Sequence, residues 1–434
     1  MTPSTQSRLE ETKAALRRLE ALLAEGRKSP VWFLKPAMWR MRRERDALRA
    51  GRIRLEAERL REKEEKKKPR AVAKPVPTSQ GGPLTNADII VTAAEINNRH
   101  GTGVLLQRLF PVEDEFIHVR SMDLYGGESA GGLRLLVPPG HAAEVSGMLC
   151  GSTVRRILSV PYSASDVENT LALADATGAP VVVWLMDHHL GEGEHQIPAP
   201  LMRILLDRAQ IRLGISPEFC TLYEQLFGYR VYFAPPVVEA ALAQRSPLVP
   251  SRSDGALLGN LWSQKWLETL ARTLTVPLTS YGHNSPQWVK HEALAAHVTM
   301  RGFLPEEELV NSLRQHAYAI VPTGTLDEHD DLPDIARYSL PSRTLYLSAV
   351  ANLPLIVLGH EDAGVARFVK RHGLGIVSRY EDVARAVEEI TSTAGRYRAR
   401  AAELASTWAC DDMKEWLWKS LEAGHPADER WERL

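Results

Sequence analysis

Asp187, His188 and His189 stand side by side directly after the apolar run Val181–Met186. A carboxylate and two imidazoles at the end of a strand can orient a hydroxyl or take its proton, so Asp187 or His189 is a candidate general base. The competing reading is a helix cap at Asp187. Other groups suit an anion. Ser339-Leu-Pro-Ser342-Arg343 sets hydroxyls, a proline and a guanidinium fork at the start of an apolar-faced helix, where backbone N–H groups point outward. Gly259-Asn260-Leu-Trp-Ser-Gln-Lys265 joins a strand to a helix and brings an ammonium to the helix start, an arrangement that could hold a diphosphate. Gly302-Phe303 and Pro322-Thr323 are further strand-end turns able to present backbone groups to a ring and its ribose. His100-Gly101-Thr102-Gly103 follows the first strand and opens a helix, its glycines permitting close backbone approach to a ligand.

Some chemistries are excluded. No three-glycine dinucleotide fingerprint and no Walker Gly-Lys-Ser/Thr occurs, which removes the dehydrogenase and P-loop ATPase readings. Asp327-Glu-His-Asp-Asp331 offers carboxylates to a metal, but clustered acids in a Gly/Pro-bounded loop are also a solvated charge run, and no metal is expected. Cys150, Cys220 and Cys410 are too scattered for a disulfide framework or a zinc site and fit a reducing compartment.

The elements that must position these groups alternate between short apolar runs and helical segments from Ala87 onward. Strands are predicted near 88–94, 116–121, 133–138, 154–160, 181–187, 211–215 and 230–234, with helices near 103–110, 141–149, 165–177, 198–207 and 217–228. A second series places strands near 256–261, 278–282, 297–301, 317–321, 354–358 and 374–377, and helices near 263–275, 305–315, 340–351, 362–372 and 380–393. The expected fold class is α/β, with two doubly wound Rossmann-like domains facing a cleft, residues 85–250 on the acceptor side and 251–394 on the donor side. Residues 395–434 read as one long amphipathic helix over 395–422 and a tail.

The formal net charge of −1 hides an asymmetry. Residues 1–70 carry 21 Lys and Arg against 11 Asp and Glu, and the rest of the chain 32 against 43, so a basic arm is attached to an acidic body. Leu9, Leu16 and Leu23, with Leu19 between them, form a short coiled-coil seam suited to a homo-oligomer. Trp32, Phe33 and Trp39 among Lys35, Arg40, Arg42 and Arg43 suit a membrane interface or a docking face. The arm, 1–68, is expected to be helical and separable, followed by a linker over 69–84. No apolar run reaches the length of a membrane span, so a cytoplasmic protein, peripheral on the inner face of the membrane, is expected.

In their order, Gly101-Thr-Gly103, Leu213-Gly-Ile-Ser-Pro217, Pro235-Pro-Val237, Gly259 with Lys265, Arg301-Gly-Phe-Leu-Pro305, Ser339–Arg343 and Asn352-Leu-Pro354 resemble a two-domain GT-B glycosyltransferase of the family-four group. The resemblance implies a nucleotide-sugar co-substrate and no cofactor. Gly259, Lys265 and Arg343 would lie near phosphate and Phe303 near the base, Ser342 would belong to the same donor site, and the first domain would hold a glycan or lipid-linked acceptor of surface polysaccharide synthesis. Three positions depart from the family pattern. Asn260 stands where an arginine is usual, and Ser339 and Leu347 stand where two glutamates are usual. The expected activity is metal-independent hexosyl transfer; the alternative, to which the missing glutamates point, is an inactive transferase-like binding or scaffold subunit, and a sugar-nucleotide epimerase is a third reading.

Overall fold

Runs such as Ala87–Val91, Val181–Leu185 and Leu355–Leu358 are buried at every position, as strands covered by helices on both faces must be. The computed structural model describes residues 5–26, 36–65, 83–191, 196–259, 263–282 and 296–432. Asn260, Trp32, Phe33, the Trp39 side chain and most of the 69–84 linker lie outside what is described.

In the first domain β1 (Ala87–Val91), β2 (Phe116–Arg120), β3 (Leu133–Leu136), β4 (Val154–Ser159), β5 (Val181–Leu185), β6 (Ile211–Gly214) and β7 (Tyr232–Phe233) form one sheet in the order β3-β2-β1-β4-β5-β6-β7. In the second, β8 (Gly255–Leu258), β9 (Leu278–Tyr281), β10 (Val298–Gly302), β11 (Tyr318–Pro322), β12 (Leu355–Leu358) and β13 (Gly375–Ser378) follow the order β10-β9-β8-β11-β12-β13. Every strand pairing is parallel. The strand order therefore reverses direction beside β1 and beside β8, and ligands in such sheets bind outside the carboxyl ends at these points. The expected two doubly wound domains are present.

The helices used below are α1 (Thr5–Gly26), α2 (Pro36–Glu65), α3 (Gly101–Leu109), α4 (Ala164–Thr177), α5 (Ala199–Arg208), α6 (Pro217–Phe227), α7 (Gln264–Thr273), α8 (Glu306–Leu313), α9 (Pro333–Tyr338), α10 (Ser342–Leu345), α11 (Gly364–His372), α12 (Val383–Trp408) and α13 (Met413–Ala423). Four of them differ from expectation. The helix predicted over 340–351 is one turn, α10, widened into a π-helical turn at Tyr346–Val350, and no side chain caps it. The segments predicted at 380–393 and 395–422 redistribute: α12 runs unbroken to Trp408, and the helix ends where Cys410-Asp-Asp412 follows. At that break Val238 and Ala409 pair as a bridge, and α13 returns to the first domain, where Trp416, Leu417 and Trp418 join the core around Phe110. The chain end thus ties the second domain back to the first. α9 was not predicted at all.

The arm is docked rather than loose. Leu9, Leu16, Leu19 and Leu23 are buried, and α1 packs on α2 as an antiparallel hairpin, with Arg49 paired to Glu20 and Thr5 bonded to Glu62. The leucine seam is satisfied inside one chain. On its other side α2 packs on α5 and α6, Ile53 joins the core of the first domain, and Arg61 pairs with Asp207. The arm therefore packs against the first domain instead of standing apart from it, with Ile53, Leu55 and Ala57 buried.

Candidate active site

A cleft of about 690 Å³ opens between the carboxyl ends of the two sheets. Its first-domain wall is built from the loop and first turns of α3 and from the segment after β5, and its second-domain wall from the turns after β8, β9 and β10 and the start of α10.

On the first wall, His100 caps α3. Its Nδ1 accepts from the Gly103 N–H (3.1 Å) and its Nε2 donates to the Glu95 carbonyl (2.8 Å), so both ring nitrogens are spent. Burial lowers its pKa and keeps the ring neutral. Gly103 is required because a Cβ would fall 2.5 Å from the Glu95 and Asn97 carbonyls. His100 stacks on Tyr125 with centroids 4.1 Å apart, Tyr125 meets Tyr162 edge-on, and the Tyr162 and Thr102 hydroxyls are bonded. Glu95, fully buried, accepts from the backbone N–H groups of Leu124 and Tyr125 and so fixes the tyrosine in place.

Asp187 opens onto the cleft while protein surrounds the rest of its carboxyl. Burial drives its pKa from the ordinary 3.8 up to about 7, opposed by a hydrogen bond from Ser339 Oγ to its Oδ1 (3.0 Å). Such a carboxyl is matched to proton transfer near neutrality. Its neighbours are not in the cleft. His188 turns into the domain junction against Phe219, Tyr223 and Tyr338, and His189 packs on Tyr162. Burial lowers both imidazoles, His189 to about 4, which makes them neutral packing groups. Of the three adjacent candidates, only Asp187 lines the cleft.

On the second wall, Gly259, Gly302, Phe303, Ser342 and Arg343 all line the cleft. Gly259 lies at φ 78°, a conformation side chains resist, at the switch point of the sheet. The Arg343 guanidinium reaches across from α10 and donates to the Leu258 carbonyl (2.9 Å), and burial lowers its pKa to about 10. It remains charged at neutral pH. Gly101 and Ser342 bring the two domains so close that a Cβ at 101 would fall 2.0 Å from Ser342 Oγ. At the rim, Arg108 of α3 donates to Glu239 and to Glu306 of α8, and the Tyr346 hydroxyl donates to the same Glu306 oxygen (3.2 Å).

Three predicted donor residues lie elsewhere. Lys265 points to solvent beside Glu268 (3.8 Å), because Trp266, Leu267, Leu270 and Ala271 occupy the buried face of α7 and leave position 265 outside. Thr323 is buried behind the cleft, its carbonyl accepting from the Tyr380 hydroxyl. Ser339 caps nothing; its hydroxyl is committed to Asp187. Leu347, the other position where a glutamate is usual, is fully buried among apolar side chains. In the acidic loop Asp330 accepts from Trp266 Nε1 and the N–H groups of Leu326 and Leu332, and Asp331 accepts from Ser263. Among the described residues no cluster of metal-ligating side chains occurs. Sequence reasoning missed Tyr125, Tyr162, Arg108, Glu306 and Gly282, all on the cleft wall. The Gly126-Gly127 pair after Tyr125 was the one available signal, marking a tight turn beside an aromatic.

Residues 256–406 match the family model of the glucosyltransferase 3-like C-terminal domain. The fold is similar to that of HepE of Anabaena, solved in complex with UDP-glucose, at 12% identity and TM-score 0.57 over 77% of this chain and 99% of that one. It is also similar to WaaG, a glycosyltransferase involved in lipopolysaccharide biosynthesis, at 13% identity and TM-score 0.51 over 78% and 99%. No curated protein matches by sequence. The chain has the GT-B fold.

Proposed function

We propose that this protein transfers a hexose-type sugar from a nucleotide-sugar donor to a hydroxyl of a glycan or lipid-linked acceptor, with no metal ion or other cofactor. The observation that carries the reading is Arg343, a partly buried, charged guanidinium at the switch point of the second sheet, facing Asp187 and the Tyr125–Tyr162 pair across one cleft. In the reaction the acceptor oxygen bonds to the anomeric carbon while the bond from that carbon to the diphosphate oxygen breaks. The diphosphate leaves with the bonding pair, and the acceptor proton passes to the ionised Asp187 carboxylate. Arg343 and the backbone at Gly259 and Gly302 stabilise the charge that develops on the diphosphate. Phe303, at the cleft rim, offers a face to the base.

The UDP-glucose bound in HepE supports a nucleotide sugar as donor, and the role of WaaG supports a surface glycan as product. Incubation with UDP-glucose and related donors, followed by UDP release, tests the reading; a protein inert toward every nucleotide sugar would instead favour the binding-subunit reading, to which the apolar Leu347 points. We also assign peripheral membrane docking to the arm, since Leu22, Arg40 and Arg43 are exposed on the hairpin. Among the described residues no helix is long and apolar enough to cross a membrane. Salt-sensitive sedimentation with acidic vesicles tests the docking, and light scattering tests the competing homo-oligomer.

A further inference from the structure

Asp187 belongs to the first domain and Ser339 to the second, yet one hydrogen bond of 3.0 Å joins Ser339 Oγ to Asp187 Oδ1. Among the described residues only Oδ1 of Asp187 has a hydrogen-bond partner, and the residue lines the cleft. Ser339 itself is 4% exposed and rigidly seated. Its N–H donates to the Ile335 carbonyl, and the preceding carbonyl, that of Tyr338, accepts from Ser216 Oγ of the first domain. The other groups that face the carboxyl are the phenols of Tyr125 and Tyr162, while the neutral imidazoles of His188 and His189, next along the chain, pack on other aromatic rings. Tyr162 is already bonded to Thr102.

We infer that Ser339 is a positioning residue: delivered across the domain junction, its hydroxyl holds the Asp187 carboxyl so that Oδ2 faces the attacking hydroxyl, and it favours the ionised form that accepts the proton. The bond needs both domains in contact, so the base is assembled only when the cleft is formed. A carboxylate at 339 would set two like charges within hydrogen-bond reach, which one of them could relieve only by taking up a proton. This inference rests on the transferase reading, while the melting cycle below tests the Ser339–Asp187 bond independently of it.

The experiment uses the full chain, with UDP-glucose as the donor probe, in wild type, Ser339→Ala, Ser339→Thr, Asp187→Asn and Ser339→Ala/Asp187→Asn. Removing a donor to the carboxylate raises the pKa of Asp187. The acid limb of kcat/KM should therefore move up by about one pH unit in Ser339→Ala, a tenfold loss at pH 6, with KM for the donor unchanged and Ser339→Thr restoring the profile. Melting temperatures are measured in parallel from pH 5 to 9. The loss caused by Ser339→Ala should grow as the pH rises past 7 and vanish when Asp187 is Asn. Equal losses in both backgrounds, or an acid limb that stays in place, would overturn the inference. If no nucleotide sugar turns over at all, the transferase reading fails, and the melting cycle alone decides whether Ser339 acts on Asp187.

Discussion

Replacing Arg343 and replacing Lys265 should have opposite weights. Sequence spacing offers both as cations for a diphosphate, while in the folded chain, of the two, only Arg343 lines the cleft. Its guanidinium lines the cleft and donates to the Leu258 carbonyl, so Arg343→Ala removes the cation that offsets charge on the leaving group and strips that carbonyl of a donor. By comparison with loss of one oxyanion-hole donor, turnover should fall about 10²–10³-fold, or ~3–4 kcal/mol. The orphaned carbonyl adds a stability cost of about 1–3 kcal/mol, moderated where water from the cleft replaces the guanidinium. Arg343→Lys should recover only part of this, since a point ammonium cannot serve the carbonyl and a phosphate together. Lys265→Ala removes an exposed ion pair at 3.8 Å and should cost under ~1 kcal/mol with turnover within twofold of wild type. The assay is UDP release from a nucleotide sugar at saturating acceptor, alongside thermal melting to separate folding from chemistry. A full loss at Lys265 with a mild effect at Arg343 would refute the placement.

Further outcomes are expected. Asp187 has a folded pKa raised from 3.8 to about 7, so the unfolded chain releases its proton first and this residue costs stability progressively as pH rises from about 4 to 7, ~4 kcal/mol as an upper bound; Asp187→Asn should flatten that slope in melting scans, stabilise the fold above pH 7 and abolish transfer. Gly259→Ala should weaken donor binding by at least tenfold in a calorimetric titration, because φ 78° strains any side chain and the new methyl lies 3.4 Å from Arg343 Nη1. A chain beginning at residue 84 should melt lower or aggregate, since loss of Ile53 burial alone is worth about 1.5–3 kcal/mol and the faces of α5 and α6 become bare. Activity should survive EDTA, because Arg343 supplies the cation and Asp330 and Asp331 are committed to hydrogen bonds.

The strands were legible because a strand buried on both faces leaves a local mark: Val181–Leu185 and Leu355–Leu358 are apolar at every position. Turns at their carboxyl ends were legible for the same reason, which is why Asp187, Gly259, Gly302 and Arg343 fall on one cleft. Direction within a turn was not. Lys265 and Arg343 have similar spacing from a helix start, and only the amphipathic face of α7 turns the lysine outward. His188 and His189 look as reactive as Asp187 until Phe219, Tyr223 and Tyr162, distant in sequence, close over them. The docking of the arm depends on α5 and α6, so the heptad at Leu9, Leu16 and Leu23 marks the helix but not the α2 face that covers it within the chain. Tyr125 lies in a loop without periodicity, held by a glutamate 30 residues away.

The central claim is that the cleft at Arg343 binds a nucleotide diphosphate joined to a sugar. Thermal melting of wild type and Arg343→Lys with UDP and UDP-glucose tests it most directly, because a ligand at one hundred times its Kd stabilises the folded state by about 2.7 kcal/mol. A concentration-dependent rise in melting temperature for wild type, much reduced in Arg343→Lys, is the predicted result. No rise with these or any other nucleotide sugar, or an equal rise in both proteins, would contradict it.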